Sequence, residues 1–216
     1  MKLADLKLLI EEGEGFELEF KRKVSTPIKI AKTFVAFANC KGGIVLFGVD
    51  DDKTIVGVGS EKSELEMIHT AASYYCDPPI EPIIDIVPYK GRDVIVATIE
   101  ESEQKPHYLN VDGEEEVHGT HVYIRVNDKT VEASKEVARI LAAENPEAPP
   151  LRIAIGESER RLFDYLDEQE RITVKQYAKL VNVSYRRASR SLIQLTRAGV
   201  LHIHTHEKED FYTRAF

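Results

Sequence analysis

FELEFKRKVSTPIKIAKTFVAFANCKGGIVLFGV, residues 16–49, is the stretch on which the fold turns. Its first six residues alternate apolar and charged positions, so a strand places Phe16, Leu18 and Phe20 on one face and Glu17, Glu19 and Lys21 on the other. Residues 28–40 form a dense apolar helix with Lys29 and Lys32 outside, and Gly42-Gly43 supplies the backbone freedom to stop it. Residues 44–49 then read as a second strand, apolar enough to be buried on both faces. Upstream, Leu3, Leu6, Leu8, Leu9 and Ile10 follow helical spacing, with Gly13 as a stop. Downstream, Asp50 to Lys53 is a turn and Thr54 to Val58 is expected as a hairpin partner. A helix over 61–75 ends before Cys76-Asp-Pro-Pro79, because a residue ahead of proline is steered out of helical geometry. A meander follows, with strands at 83–89 and 93–100 around Lys90-Gly91 and at 122–126 and 130–132 around Asn127-Asp-Lys129. Interleaved strands and helices of this kind predict an α+β domain with a mixed sheet over 1–143, the helix at 134–143 leading out of it.

The length of 216 residues suits one large domain or two small ones without disulfide staples. Hydrophobic residues at 43% and charged residues at 31% exclude a wholly disordered, collagen-like or repeat-biased chain. No apolar run approaches a membrane span, and the start Met1-Lys-Leu-Ala-Asp5 lacks the apolar stretch of a signal peptide. Cys40 and Cys76 lie far apart with no CxxC spacing, which indicates neither a zinc knuckle nor a disulfide framework and fits a reducing, cytoplasmic compartment. The net charge of −8 is unevenly spread: residues 1–150 carry a net −11, and residues 151–216 a net +3. That asymmetry points to an acidic module joined to a mildly basic one able to touch phosphates.

The boundary is the linker 144–156, with Glu144-Asn-Pro-Glu-Ala-Pro-Pro150 at its head, and the second domain spans 157–216. Helices are expected at 157–167, 174–181 and from the cap Ser184 to Ala198, where Gly199 stops the last of them before a two-strand tail. The segment from Ile172 to Leu201 resembles a winged helix-turn-helix, with Ala178 at the tight crossing, Asn182-Val-Ser184 as the turn, and Leu192 and Leu195 toward the core. The resemblance implies that the third helix reads DNA. It carries Arg186, Arg187, Arg190 and Arg197 with no acidic residue between Ser184 and Ala198, so its exposed face suits phosphates or the acceptors of guanine. Ser184, Tyr185, Arg186, Arg187 and Arg190 are the candidate DNA contacts.

In the first domain, Glu14-x4-Glu19-Phe20-Lys21, Ala36-Phe-Ala-Asn39, Gly42-Gly43, Gly48-Val-Asp-Asp51, Ile55-Val-Gly57, Lys105-Pro-His-Tyr108 and Tyr123-Ile-Arg-Val126 occur in order. Together they resemble the Schlafen AlbA-type DNA-binding domain, also described as divergent ATPase-like, over roughly residues 12–131. The chain departs from that pattern at Gly15, where a serine usually follows the glutamate. The resemblance implies an association with nucleic acid more than a particular reaction.

Two chemistries follow for this domain. As a platform, it would bind a ligand, a partner or nucleic acid where Asn39, Gly42 and Gly43 expose backbone at a helix end; no Walker-type segment is present to cradle nucleotide phosphates. As an enzyme, the resemblance to the nuclease branch of Schlafen proteins implies that Glu14, Glu19 and Asp51 converge on magnesium or manganese beside an RNA phosphate. The first reading needs no cofactor or metal. His202, His204 and His206 alternate along the expected wing and share one face, where approach to DNA is expected rather than a metal site, and His107 is expected to bond its own backbone. The function expected is that of a cytoplasmic, DNA-binding transcriptional regulator, with RNA as the alternative partner, no membrane, and a homodimer compatible with the sequence.

Overall fold

A computed structural model describes residues 1–23, 26–111, 121–151, 153–205 and 209–215, and its contacts divide the chain into two units, Met1–Glu132 and Ala133–Phe216. In the first unit α1 (Leu3–Glu12) leads to β1 (Leu18–Lys21), and α2 (Pro27–Ala38) crosses over to β2 (Gly43–Phe47). A crossover helix allows parallel pairing, and β1 lies parallel to β2 with Leu18 opposite Ile44 and Lys21 opposite Phe47. The strand expected from Phe16 begins two residues later. The Gly15 N–H bonds the Leu18 carbonyl in a turn, which leaves Phe16 37% exposed.

The chain continues through α3 (Glu61–Tyr74) and β3 (Cys76–Asp77) into the hairpin of β4 (Ile83–Tyr89) and β5 (Arg92–Ile99). Lys90 and Gly91 turn it with φ of 48° and 78°, the left-handed geometry whose twist suits a two-residue hairpin. The sheet order is β1-β2-β5-β4, with β5 antiparallel to both neighbours. Alternation along β2 and β5 then assigns the two faces. Val45, Phe47, Ile95, Ala97 and Ile99 pack with Phe34 and Phe37 of α2 and Ile68 of α3. Leu46, Val94 and Val96 join Leu18 and Phe20 of β1 against Leu6 and Ile10 of α1. The sheet is thus covered on both faces, and each buried Leu, Ile or Phe contributes about 1.5–3 kcal/mol of transfer free energy.

Thr54 to Val58 does not form the expected hairpin strand. It makes only isolated bridges, Val49 to Ile55 and Val58 to Asp93, because two glycines replace the ladder. Gly48 and Gly57 sit at φ of 96° and 69°, and the Val56 and Gly57 N–H groups both bond the Gly48 carbonyl. Two short pairs complete the unit: β3 with β6 (Tyr108–Leu109), and β7 (Tyr123–Val126) with β8 (Lys129–Glu132).

The second unit begins earlier than the linker at 144–156 suggests. Contacts group α4 (Lys135–Glu144) with it rather than with the first 132 residues. The Ser189 hydroxyl donates to the buried Glu136 carboxylate at 2.7 Å, which ties α4 to α7 (Tyr185–Arg197). Between them come α5 (Glu157–Gln169) and α6 (Val174–Leu180), and β9 (Leu201–His204) pairs with β10 (Phe211–Arg214) at the end. Leu162, Leu166, Tyr177, Leu192, Leu195 and Tyr212 are central to its separate core. Thr173 and Ser184 cap α6 and α7 by accepting from the Gln176 and Arg187 N–H groups. Among the described residues no helix is long and apolar enough to cross a membrane.

Candidate functional site

Two of the three candidate acids of the first unit, Glu14 and Glu19, have partners within the chain. Glu14 accepts the Phe20 N–H at 2.8 Å, so its carboxylate pins the start of β1. Glu19 projects from the α2 side of β1 and pairs with Lys21 and with Arg125, both at 2.5 Å. The Arg125 side chain is wholly buried. Its guanidinium donates to Glu19, the Thr130 hydroxyl and the carbonyls of Gly15, Phe16 and Asp128, and it lies 4.9 Å from the centre of the Phe37 ring. Asp51 is exposed in the turn after β2. Among the described residues no three His, Cys, Asp or Glu side chains are grouped to hold a metal ion. Glu14 thus bonds the β1 backbone, and Glu19 a buried cation. Arg125 is the partner of Glu19 that sequence reasoning missed; its only signal is a charge inside the apolar strand Tyr123-Ile-Arg-Val126.

At the helix end expected to meet a ligand, Gly43 lines a cavity of about 560 Å³ with Gly13, Gly15, Lys41 and Ile44, while Asn39 bonds within the chain. The buried Asn39 amide donates to the carbonyls of His107 and Tyr123 at 2.9 and 3.0 Å, and its oxygen accepts the His107 N–H at 2.7 Å. A Cβ on Gly42 would lie 2.5 Å from the Ile99 carbonyl oxygen, and one on Gly43 2.6 Å from the Phe37 ring. The close approach these glycines allow is thus that of the chain's own backbone and core. The His107 ring is buried and bonds other residues, not its own backbone as expected: Nδ1 donates to the Pro78 carbonyl at 2.8 Å, and Nε2 accepts the Ser102 hydroxyl at 2.7 Å. Burial holds its pKa below the usual imidazole value, so the ring is neutral at pH 7. Burial also raises both thiols, Cys76 to about 12.

The second unit presents a different surface. Ala188, Leu192 and Leu195 of α7 enter the core, and the helical period turns Arg186, Arg187 and Arg190 to the exposed side. Among the described residues these three arginines make no ion pair. With Ser184, Ser191 and Gln194 they line a groove of about 770 Å³, whose opposite wall comes from Ile153, Ala154, Gly156 and Glu159 at the start of α5. Among the described lining residues the one carboxylate is occupied: Glu159 accepts the Gly156 N–H at 3.0 Å and the Ser191 hydroxyl at 2.9 Å. Partial burial pushes its pKa up, but these hydrogen bonds prevail and hold it below the usual value, so it stays ionised. Tyr185 is exposed at the first position of α7. Gln194 and Ser191 lie four residues beyond Arg190 and Arg187, a spacing that makes them legible as the same face. In the hairpin, His202 and His204 are exposed, while His206 lies outside the described residues. His204 stacks on Phe211 at 4.9 Å with the planes 10° apart.

The first unit, a mixed sheet covered by α1 on one face and by α2 and α3 on the other, defines an α+β domain. Residues 14–134, more than half of the chain, match the family described as Schlafen, AlbA_2, and the chain belongs to that family. None of the curated proteins compared with it matches. Among solved structures it is similar to the N-terminal domain of a Nitrosomonas europaea protein described as related to the ATP-dependent DNA helicase RecG, with 22% identity over 52% of this chain and 85% of that one and a TM-score of 0.42. It is also similar to the DIP2311 protein of Corynebacterium diphtheriae, with 15% identity, 72% of this chain covered and a TM-score of 0.48. In that second case the match spans only 35% of the other chain.

Proposed function

We propose that the chain is a DNA-binding regulator of transcription, in which the second unit is a winged helix with α7 as its reading helix and the Schlafen, AlbA_2 domain is a platform for a ligand, a partner or a further nucleic-acid segment. The supporting observation is the row of Arg186, Arg187 and Arg190, exposed, free of ion pairs among the described residues and lining one groove. Long flexible cations kept unpaired beside an ordered helix start are suited to phosphate oxygens, and the guanidinium fork also matches guanine O6 and N7. The association with nucleic acid that the resemblance of the first unit to the Schlafen AlbA-type domain implies agrees with this reading. A metal-dependent ribonuclease is less well supported, because Glu14 and Glu19 already have partners.

The test is binding to duplex DNA across a salt series. Each arginine that meets a phosphate adds about 0.9 to the slope of log affinity against log salt, so the triple alanine variant should lose up to about 2.7 from that slope. An arginine that reads a base should instead relax preference at one position at a cost of roughly 1–3 kcal/mol. Unchanged affinity and slope in the triple variant would refute the assignment.

A further inference from the structure

The outer face of the β9–β10 hairpin carries three stacked groups from three separate segments. The antiparallel register sets His204 beside Phe211 and His202 beside Thr213. Their alternate neighbours Leu201 and Tyr212 are buried in the core, so His202, His204, Phe211 and Thr213 share the face turned away from it. On that face the His204 and Phe211 rings stack nearly parallel, and the Arg171 guanidinium lies 5.5 Å from the Phe211 ring centre. His204 Nε2 bonds the Thr213 hydroxyl at 2.8 Å, which holds the imidazole plane in place. His204 and Arg171 are exposed, Phe211 is half-buried, and among the described residues Arg171 makes no ion pair.

We propose that this ladder is a stacking platform for an unpaired base of single-stranded DNA, which extends the π stack on His204 while Arg171 meets a neighbouring phosphate. The inference rests on the nucleic-acid reading given above and names a second substrate form for it. Three features select this occupant. Exposed rings held parallel offer a flat π surface of the kind on which bases stack without regard to sequence. The free cation beside them complements a phosphate backbone. A duplex keeps its base faces covered by their neighbours, so only an unpaired strand can add a ring to the stack.

The experiment uses the full chain with a short single-stranded oligodeoxynucleotide carrying 2-aminopurine, and with the same sequence as a duplex. Binding of the single strand should quench the fluorophore. His204→Ala should raise the single-strand Kd about 5- to 100-fold, the range that one base stacked on one ring accounts for. His204→Tyr, which keeps a flat ring, should stay close to wild type, and His204→Ala should lose far more affinity for the single strand than for the duplex. Arg171→Ala should lower the salt slope for the single strand by about 0.7. The proposal is overturned if His204→Ala binds the single strand like wild type, if the Ala and Tyr variants lose equally, or if an RNA strand of the same sequence binds far more tightly. Retained duplex binding with no single-strand binding would sink this inference alone. Failure to bind either form would remove the DNA-binding reading and this inference with it.

Discussion

Replacing Arg125 with methionine removes the most connected side chain of the Schlafen, AlbA_2 domain while keeping much of its buried stem. Five hydrogen bonds disappear at once, and the Glu19 carboxylate, whose side chain is only 13% exposed, keeps only Lys21. Stranding one partner of a buried pair costs about 3–5 kcal/mol, to be set against a total stability of about 5–15 kcal/mol for a typical domain. For a unit of this size that corresponds to a fall in Tm of about 10–20 °C, measurable by circular dichroism in heat and urea. Much of the loss is the stranded charge, so adding Glu19→Leu to Arg125→Met should restore about 1 kcal/mol or more. Glu19→Gln alone should also destabilise the domain, by about 1–3 kcal/mol, because it leaves the buried guanidinium short of an ionic acceptor. An Arg125→Met loss below about 1 kcal/mol, or no recovery in the double variant, would refute the view of this pair as a structural hub. A Glu19→Gln variant as stable as wild type would free that carboxylate for metal chemistry.

Three further outcomes can be checked by unfolding measurements. His107 is neutral and buried with its pKa lowered by desolvation, so below about pH 6.5 the unfolded chain binds the proton that the folded one refuses; stability should be level above that pH and decline as pH falls toward the folded value, with a slope of at most about 1.4 kcal/mol per pH unit that His107→Gln abolishes. Gly42→Ala should cost at least about 2 kcal/mol, from a φ of 77° and a Cβ 2.5 Å from the Ile99 oxygen, whereas Gly15→Ala, with nothing within 4 Å, should stay within about 0.5 kcal/mol in urea titrations. Tyr212→Phe should be neutral or stabilising by up to about 1 kcal/mol, because the buried phenol oxygen has no hydrogen-bond partner among the described residues; a loss above that value would mean the hydroxyl is satisfied in solution.

Local chemistry was legible from the chain alone wherever the periodicity of one element decides the outcome. The alternation of 18–21, the apolar helix over 27–38, the buried strand 43–47, the Lys90-Gly91 hairpin and the capped arginine helix 185–197 all follow from side chains within a few residues of one another. The ordered motifs over residues 12–131 likewise point to the family. Two things could not be read that way. One is the fate of the conspicuous acids and glycines, since a carboxylate looks the same in sequence whether it awaits a metal or an arginine 106 positions away. The other is the placement of α4, which sequence spacing attaches to the first domain and packing attaches to the second through Glu136 and Ser189, 53 residues apart. Hydrogen-bond partners of buried polar groups are chosen by proximity in space, and that proximity exists only once packing has brought the β7–β8 pair beside the start of β1, and α4 has met α7.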